Sequence, residues 1–214
     1  MSLGDTIFYL LEMIGTLAFA VSGAMVALER RLDVFGVLFL GLTTALGGGC
    51  IRDILLGVTP PQMFRSPDYV LAALGTALLV FLLAYFGREQ YAGRAEAIDH
   101  VNNIFDAIGL GVFTIVGVRA CFPVGYGENA FMCIFMGMLT GVGGGVLRDM
   151  MSREIPMVLR KRVYALASVL GGACYWLLFR WGIRETVAAV IGGALVFLIR
   201  MLATHYRWSL PRVP

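Results

Sequence analysis

The sequence predicts an all-α, polytopic membrane protein of seven transmembrane helices: two inverted three-helix repeats followed by a seventh helix. Three observations predict it. Of the 214 residues, 59% are hydrophobic and only 14% are charged, against about a quarter charged in soluble domains. Stretches apolar enough to cross about 30 Å of hydrocarbon recur along the whole chain, in keeping with a mean hydropathy of +0.82. The two halves of the chain also match one another, which fixes an architecture before any residue is given a role.

In order, the spans run from Ile7 to Ala27, Val34 to Leu56, Tyr69 to Phe86, Ile104 to Phe122, Ala130 to Met151, Val163 to Trp181 and Thr186 to Thr204. Backbone amides in lipid must bond within their own segment, so seven such segments mean a helical bundle. The linkers are short, and residues 1–214 read as one transmembrane domain, with repeat one at 7–86, repeat two at 104–181 and the seventh helix at 186–204. Ala18-Phe19-Ala20 resembles a leader-peptide cleavage site, but no basic residue precedes the first span, so it reads as a membrane helix.

Orientation follows from the basic residues. With the N-terminus outside, Arg30, Arg31, Arg88, Arg94, Arg153, Arg160, Lys161, Arg162, Arg200, Arg207 and Arg212 fall on the cytoplasmic side; Arg65, Arg119, Arg180 and Arg184 fall on the other. Such an excess is expected of cytoplasmic loops, which places the N-terminus outside and the C-terminus inside. The net charge of +3 therefore describes loops facing anionic lipid, and no nucleic-acid partner is indicated. The cluster Arg160-Lys161-Arg162 reads as a topology anchor, with an acidic-lipid site as the alternative.

Cys50, Cys121, Cys133 and Cys174 form no metal-ligand spacing and read as small core residues, and His100 and His205 are isolated. No metal or cofactor is expected. The chain carries no Ser/His/Asp set, no HExxH and no phosphate loop, so it does not read as an enzyme.

Gly41 to Pro60 aligns with Gly137 to Pro156 without a gap at an offset of 96, with eight of twenty positions identical. Among them are Thr44/Thr140, Gly47/Gly143, Gly48/Gly144, Gly49/Gly145, Arg52/Arg148 and Asp53/Asp149. The first helices match too, Ile14-Gly15-x-x-x-Phe19-x-x-x-Gly23 against Ile108-Gly109-x-x-x-Phe113-x-x-x-Gly117, which sets Glu12 opposite Asp106. Gly75 pairs with Gly171 in the third helices. Three spans per unit is an odd number, so the second copy enters the membrane from the other side and the repeats are inverted.

Each triple glycine is costly for a helix, about 1 kcal/mol per residue relative to alanine, so a kink or unwound turn is expected in the second and fifth spans. In lipid such a break must face protein or water, hence the bundle interior. Intramembrane charges mark permeation or binding pathways, and Arg52, Asp53, Arg148 and Asp149 follow the glycines directly. Two readings fit. In one, Arg52 pairs with Asp149 and Arg148 with Asp53, clamping the repeats together. In the other, bared carbonyls and carboxylates offer oxygen ligands to a passing cation while the arginines limit how tightly it binds. Gly41, Ala45 and Gly49, like Gly137, Gly141 and Gly145, also form small-xxx-small rows for close packing, a role that leaves Gly48 and Gly144 unexplained. Thr44 and Thr140 either bond locally at the break or turn hydroxyls toward water. Glu12 and Asp106 are read near helix starts, where a carboxylate either favours the helix dipole or draws cations to a mouth.

Two copies of GGGxxRD, at Gly47 to Asp53 and Gly143 to Asp149, in a seven-span chain with a three-plus-three repeat, resemble the prokaryotic branch of the trimeric intracellular cation (TRIC) channel family. The likeness covers nearly the whole chain. It implies a homotrimer in a prokaryotic inner membrane, each protomer with its own pore for monovalent cations such as potassium between the second and fifth helices. Animal members carry a lysine-containing variant of the motif; this chain has arginine in both copies. The bacterial relatives are also catalogued as presumed glycine transporters, and inverted repeats serve secondary transporters equally, so a carrier of a small solute such as glycine stands as the alternative.

Overall fold

The computed structural model describes residues 3–87, 95–160, 163–206 and 208. Lys161 and Arg162 of the basic cluster, with the side chain of Arg160, lie outside the described residues, as do Arg88, Arg94, Arg207 and Arg212. The described chain is entirely helical and carries seven helices long and apolar enough to span a membrane. These are α1 (Leu3–Glu29), α2 (Val34–Leu55), α4 (Pro67–Phe86), α5 (Ala95–Arg119), α6 (Ala130–Met151), α8 (Val163–Arg180) and α9 (Glu185–His205). Two single turns, α3 (Gln62–Arg65) and α7 (Met157–Arg160), sit between the second and third helix of each repeat.

Local chemistry repeats along with the helices. Asp33 caps α2 by accepting from the Gly36 amide, and Asn129 caps α6 through the Met132 amide, satisfying one of the donors every helix start leaves open. At the far ends, Gly57 and its repeat mate Arg153 both adopt the left-handed conformation. Their neighbours Val58 and Glu154 bond back to the Asp53 and Asp149 carbonyls. Glycine takes this conformation freely, whereas arginine does so at a cost of about 1 kcal/mol.

α1 packs on α2, α4 and α5, and α5 packs on α6 and α8, so each repeat is a three-helix sheaf and α2 meets α6 across the middle. The repeats run in opposite directions. α1 begins at the end of the bundle where α5 finishes, tied there by Arg119 to Asp5 of α1 and Glu185 of α9; this is the N-terminal end. At the opposite end, Arg30 after α1 pairs with Glu154 after α6. α9 lies outside the repeat symmetry and docks on α8 and α5 through a glycine seam. A β-carbon on Gly111 would come within 2.9 Å of the Gly193 carbonyl oxygen, and one on Gly192 within 2.9 Å of the Gly171 carbonyl oxygen.

Two expectations are corrected here. α2 and α6 are helical without interruption through Gly47 to Gly49 and Gly143 to Gly145, so of the kink or unwound turn expected in the second and fifth spans the unwound turn is absent. α5 starts at Ala95, well before the expected Ile104, because its first turns carry Asp99, Asn102 and Asn103, which mask the helix in a hydropathy reading.

Candidate functional site

The triple glycines lie where α2 crosses α6. A β-carbon on Gly48 would collide with the Thr140 carbonyl oxygen, and one on Gly144 would collide with the Thr44 carbonyl oxygen. Gly143 faces the Gly48 α-carbon at 3.2 Å from the place its own β-carbon would take, and Gly47 faces Leu147. The glycines therefore permit backbone-to-backbone approach of two intact helices. This accounts for Gly48 and Gly144, the two positions that the small-xxx-small rows left over. The carbonyls expected to be bared for ion binding stay inside helical backbone. Thr44 and Thr140 are buried, and each donates its hydroxyl to the carbonyl four residues back, Leu40 and Met136, at 2.6 Å in both cases. Of the two readings of these threonines, the local hydrogen bond is the one found. Phe19 and Phe113, repeat mates, meet beside the crossing with ring centroids 5.2 Å apart.

One polar half-site lies on each side of this crossing. In the first, Arg52 Nε donates to Asp53 Oδ1 at 2.8 Å, and the Gln62 amide at the start of α3 donates to Asp53 Oδ2 at 2.8 Å. In the second, Arg148 Nε donates to Asp149 Oδ1 at 2.8 Å and the Met157 amide of α7 to Asp149 Oδ2 at 2.7 Å. Each aspartate thus fixes its own arginine with one oxygen and the following short helix with the other. The cross-repeat pairing of Arg52 with Asp149 and Arg148 with Asp53 is not formed; each arginine is held by its sequence neighbour. The short helices were missed in the sequence because a single turn has no periodicity, though Pro60 and Pro156 mark their approach.

Glu12 and Asp106 lie well inside α1 and α5 rather than near the helix starts, which removes the helix-dipole reading for both. Glu12 faces the first half-site and accepts from the Tyr69 hydroxyl at 2.6 Å. Asp106 is 0% exposed and accepts from Arg148 Nη1 at 2.8 Å, so it stands at no mouth.

The half-sites differ in openness. Around Arg52, a pocket of about 400 Å³, partly open to the surroundings, is lined by Glu12, Thr16, Gly49, Cys50, Gln62 and Tyr69 among others. It lies among α1, α2, α3, α4 and α5, beside the expected seam between the second and fifth spans rather than in it. Around Arg148 the corresponding space is about 140 Å³, lined by Gly145, Val146, Asp149, Met157 and Tyr164. Arg148 is 0% exposed and gives Nη1 also to Ser22 Oγ at 2.6 Å, which in turn donates to Asn102 Oδ1. Its Nη2 lies 2.8 Å from Asp149 Oδ1, near enough for an ion pair but outside hydrogen-bond angles. Ser22, Asn102 and Tyr164 carry no charge and belong to no repeat motif, so sequence reasoning passed over them. Arg200, counted above among cytoplasmic residues, is 1% exposed inside the bundle; its place within the apolar run Thr186 to Thr204 was the available signal. Among the described residues no group of three His, Cys, Asp or Glu side chains suits a metal ion.

Comparison with known proteins agrees with this architecture. A family model described as "Glycine transporter" matches residues 9–85 and 103–180, the two repeats. The UPF0126 inner membrane protein YadS of Escherichia coli is 36% identical over 95% of this chain and 94% of its own. A crystal structure of a prokaryotic TRIC channel superposes with a TM-score of 0.86 at 34% identity, covering 96% of this chain and all of that one. The TRIC trimeric intracellular cation channel orthologue from Rhodobacter sphaeroides does so with 0.85 at 33% identity, over 95% of this chain and all of that one. These structural neighbours are ion channels, not enzymes. Seven apolar helices and such relatives make this a multi-pass membrane protein. The chain belongs to the family whose model is described as "Glycine transporter", and it has the fold of the prokaryotic TRIC cation channels.

Proposed function

We propose that this protein is a channel for monovalent cations, potassium foremost, with one pathway in each protomer of a homotrimer. The observation that carries the reading is the pair of inverted half-sites, each an arginine and carboxylates at a cavity, set on either side of the glycine crossing. A cation entering from the N-terminal end meets Glu12 in the Arg52 pocket, with Asp53 held behind Arg52. It then passes the crossing at Gly47 to Gly49 and Gly143 to Gly145 once those packed backbones part, and leaves past Arg148, Asp149 and Asp106. Neighbouring arginines keep binding weak at each step, as conduction needs. Similarity to TRIC cation channels supports the cation class. The conformation described corresponds to a closed pathway: Phe19 and Phe113 fill the middle, and Arg148 is sealed in its hydrogen bonds. The surplus of arginine at the ends opposite the N-terminus supports an outward N-terminus and a cytoplasmic C-terminus.

One observation favours a second reading. A pocket open at one end and closed at the other is also the form of a carrier caught between turnovers, in line with the family's description. Purified protein in planar bilayers separates the two. The channel reading expects discrete unitary potassium currents. Saturable uptake of labelled glycine into liposomes, with no unitary current, overturns it in favour of the carrier.

A further inference from the structure

Arg200 is the least compensated charge in the described interior. It projects from α9, the helix outside the repeats, and its Nη2 donates to Asn103 Oδ1 at 3.1 Å while Asn103 Nδ2 donates to Thr204 Oγ1 at 3.2 Å. Its guanidinium carbon sits 4.6 Å from the centroid of the Tyr164 ring. Its Nε has no hydrogen-bond partner, and no carboxylate pairs with it among the described residues. Asp106 Oδ2 and the Tyr164 hydroxyl, both fully buried, lie outside strict hydrogen-bond geometry. A β-carbon on Gly145 would lie 3.2 Å from the Tyr164 hydroxyl oxygen, 3.7 Å from Arg148 Nη2 and 4.0 Å from Asp106 Oδ1, which gathers these groups at one point with Arg200 against the Tyr164 ring. A buried arginine without a carboxylate is expensive and by default functional.

Its role follows from comparing the repeats. The first half-site sets one arginine, Arg52, against two carboxylates, Asp53 and Glu12. Repeat symmetry gives the second half-site the same set, Arg148 against Asp149 and Asp106. α9 packs mainly on α5 and α8, so among the described residues the second set has a further cation beside it. We infer that Arg200 is a positioning and counter-charge residue: it neutralises the second half-site and steadies Tyr164 over Asp106, so that cations are attracted at one end of the pathway and not at the other. The inference rests on the channel reading for its meaning, while its test does not need current to flow.

Cys50 lines the first pocket and its repeat mate Val146 the second. Replacing Cys121, Cys133 and Cys174 by serine leaves Cys50 as a reporter, and adding Cys50→Ser with Val146→Cys moves the reporter to the second half-site. The measurement is the rate of modification by a positive against a negative methanethiosulfonate reagent. The positive-to-negative ratio is expected to be about tenfold higher at position 50 than at 146, the scale of one unit charge at these separations. Arg200→Gln should raise the ratio at 146 to nearly that at 50, and Arg200→Lys should leave it unchanged. If Arg200→Gln fails to assemble, Arg200→Gln with Asp106→Asn keeps the region neutral and should assemble with the unaltered low ratio. An unchanged ratio in a well-folded Arg200→Gln protein overturns the inference, as does a thiol at 146 that stays unreactive after Arg200 is removed. In bilayers, Arg200→Gln should also raise permeability to potassium over chloride; an absence of current in the unmodified protein counts against the channel reading alone.

Discussion

Around Arg52 lies a partly open pocket of about 400 Å³; around Arg148, its repeat mate, the space is about 140 Å³. The motifs are the same, and so are the arginine to aspartate bonds and the amide each aspartate takes from a short helix. What differs is the neighbourhood. Arg52 looks toward Glu12, which Tyr69 engages instead, whereas Arg148 is bonded directly to Asp106 and Ser22 and lies near the helix that repeat one lacks. An inverted repeat therefore supplies two equivalent polar stations, and the side chains that differ between the copies, such as Ser22 against Val116, distinguish the sealed one from the open one.

The largest effect should come from the element the two stations share. Gly144→Leu drives a side chain into the Thr44 carbonyl, where backbone must yield, and should cost about 3 kcal/mol or more. The expected outcome is loss of the assembled peak in detergent size exclusion, with Gly48→Leu behaving alike.

Next, the stations should respond unequally to loss of their arginines. Arg148→Met strands Asp106 and Asp149 in a fully buried site and should cost about 3–5 kcal/mol. Arg52→Met leaves Asp53 bonded to the Gln62 amide at the edge of an open pocket and should cost at most about 2 kcal/mol. Thermal melting in detergent ranks them, and equal melting temperatures would erase the distinction between the half-sites.

A smaller change sharpens the same comparison. Ser22→Ala removes one acceptor from Arg148 and one donor to Asn102 and should lower stability by about 1 kcal/mol. Its repeat mate Val116 takes part in no such bond, being an apolar wall of the first pocket. Smallest of all, a β-carbon on Gly75 in α4 meets nothing within 4 Å, so Gly75→Ala should leave melting unchanged or raise stability by about 0.5–1 kcal/mol through helix propensity. Set against Gly144, it separates glycines needed for helix crossing from glycines that are not.

The seven spans and the inversion were legible because hydropathy and an offset of 96 are linear properties of the chain. The half-site members Arg52, Asp53, Arg148 and Asp149 were legible for the same reason. The state of the glycines was not: Gly48 against the Thr140 carbonyl is a contact between residues far apart in sequence, and glycine content alone fits a broken helix and a close crossing equally well. Asp106 as the Arg148 partner, Ser22 as its acceptor and Arg200 as a buried charge likewise depend on which faces meet. A charge near a helix end looks like a topology signal until its neighbours are known.

The claim on which the account turns is that the Arg52 pocket lies on the route ions take. Cys50 lines that pocket and is free, so the direct measurement is unitary potassium current before and after a bulky, positively charged thiol reagent is applied from the N-terminal side. Current is expected to fall sharply, and Cys50→Ser protein to be insensitive. Full modification of Cys50, verified by mass, with unitary current unchanged would contradict it.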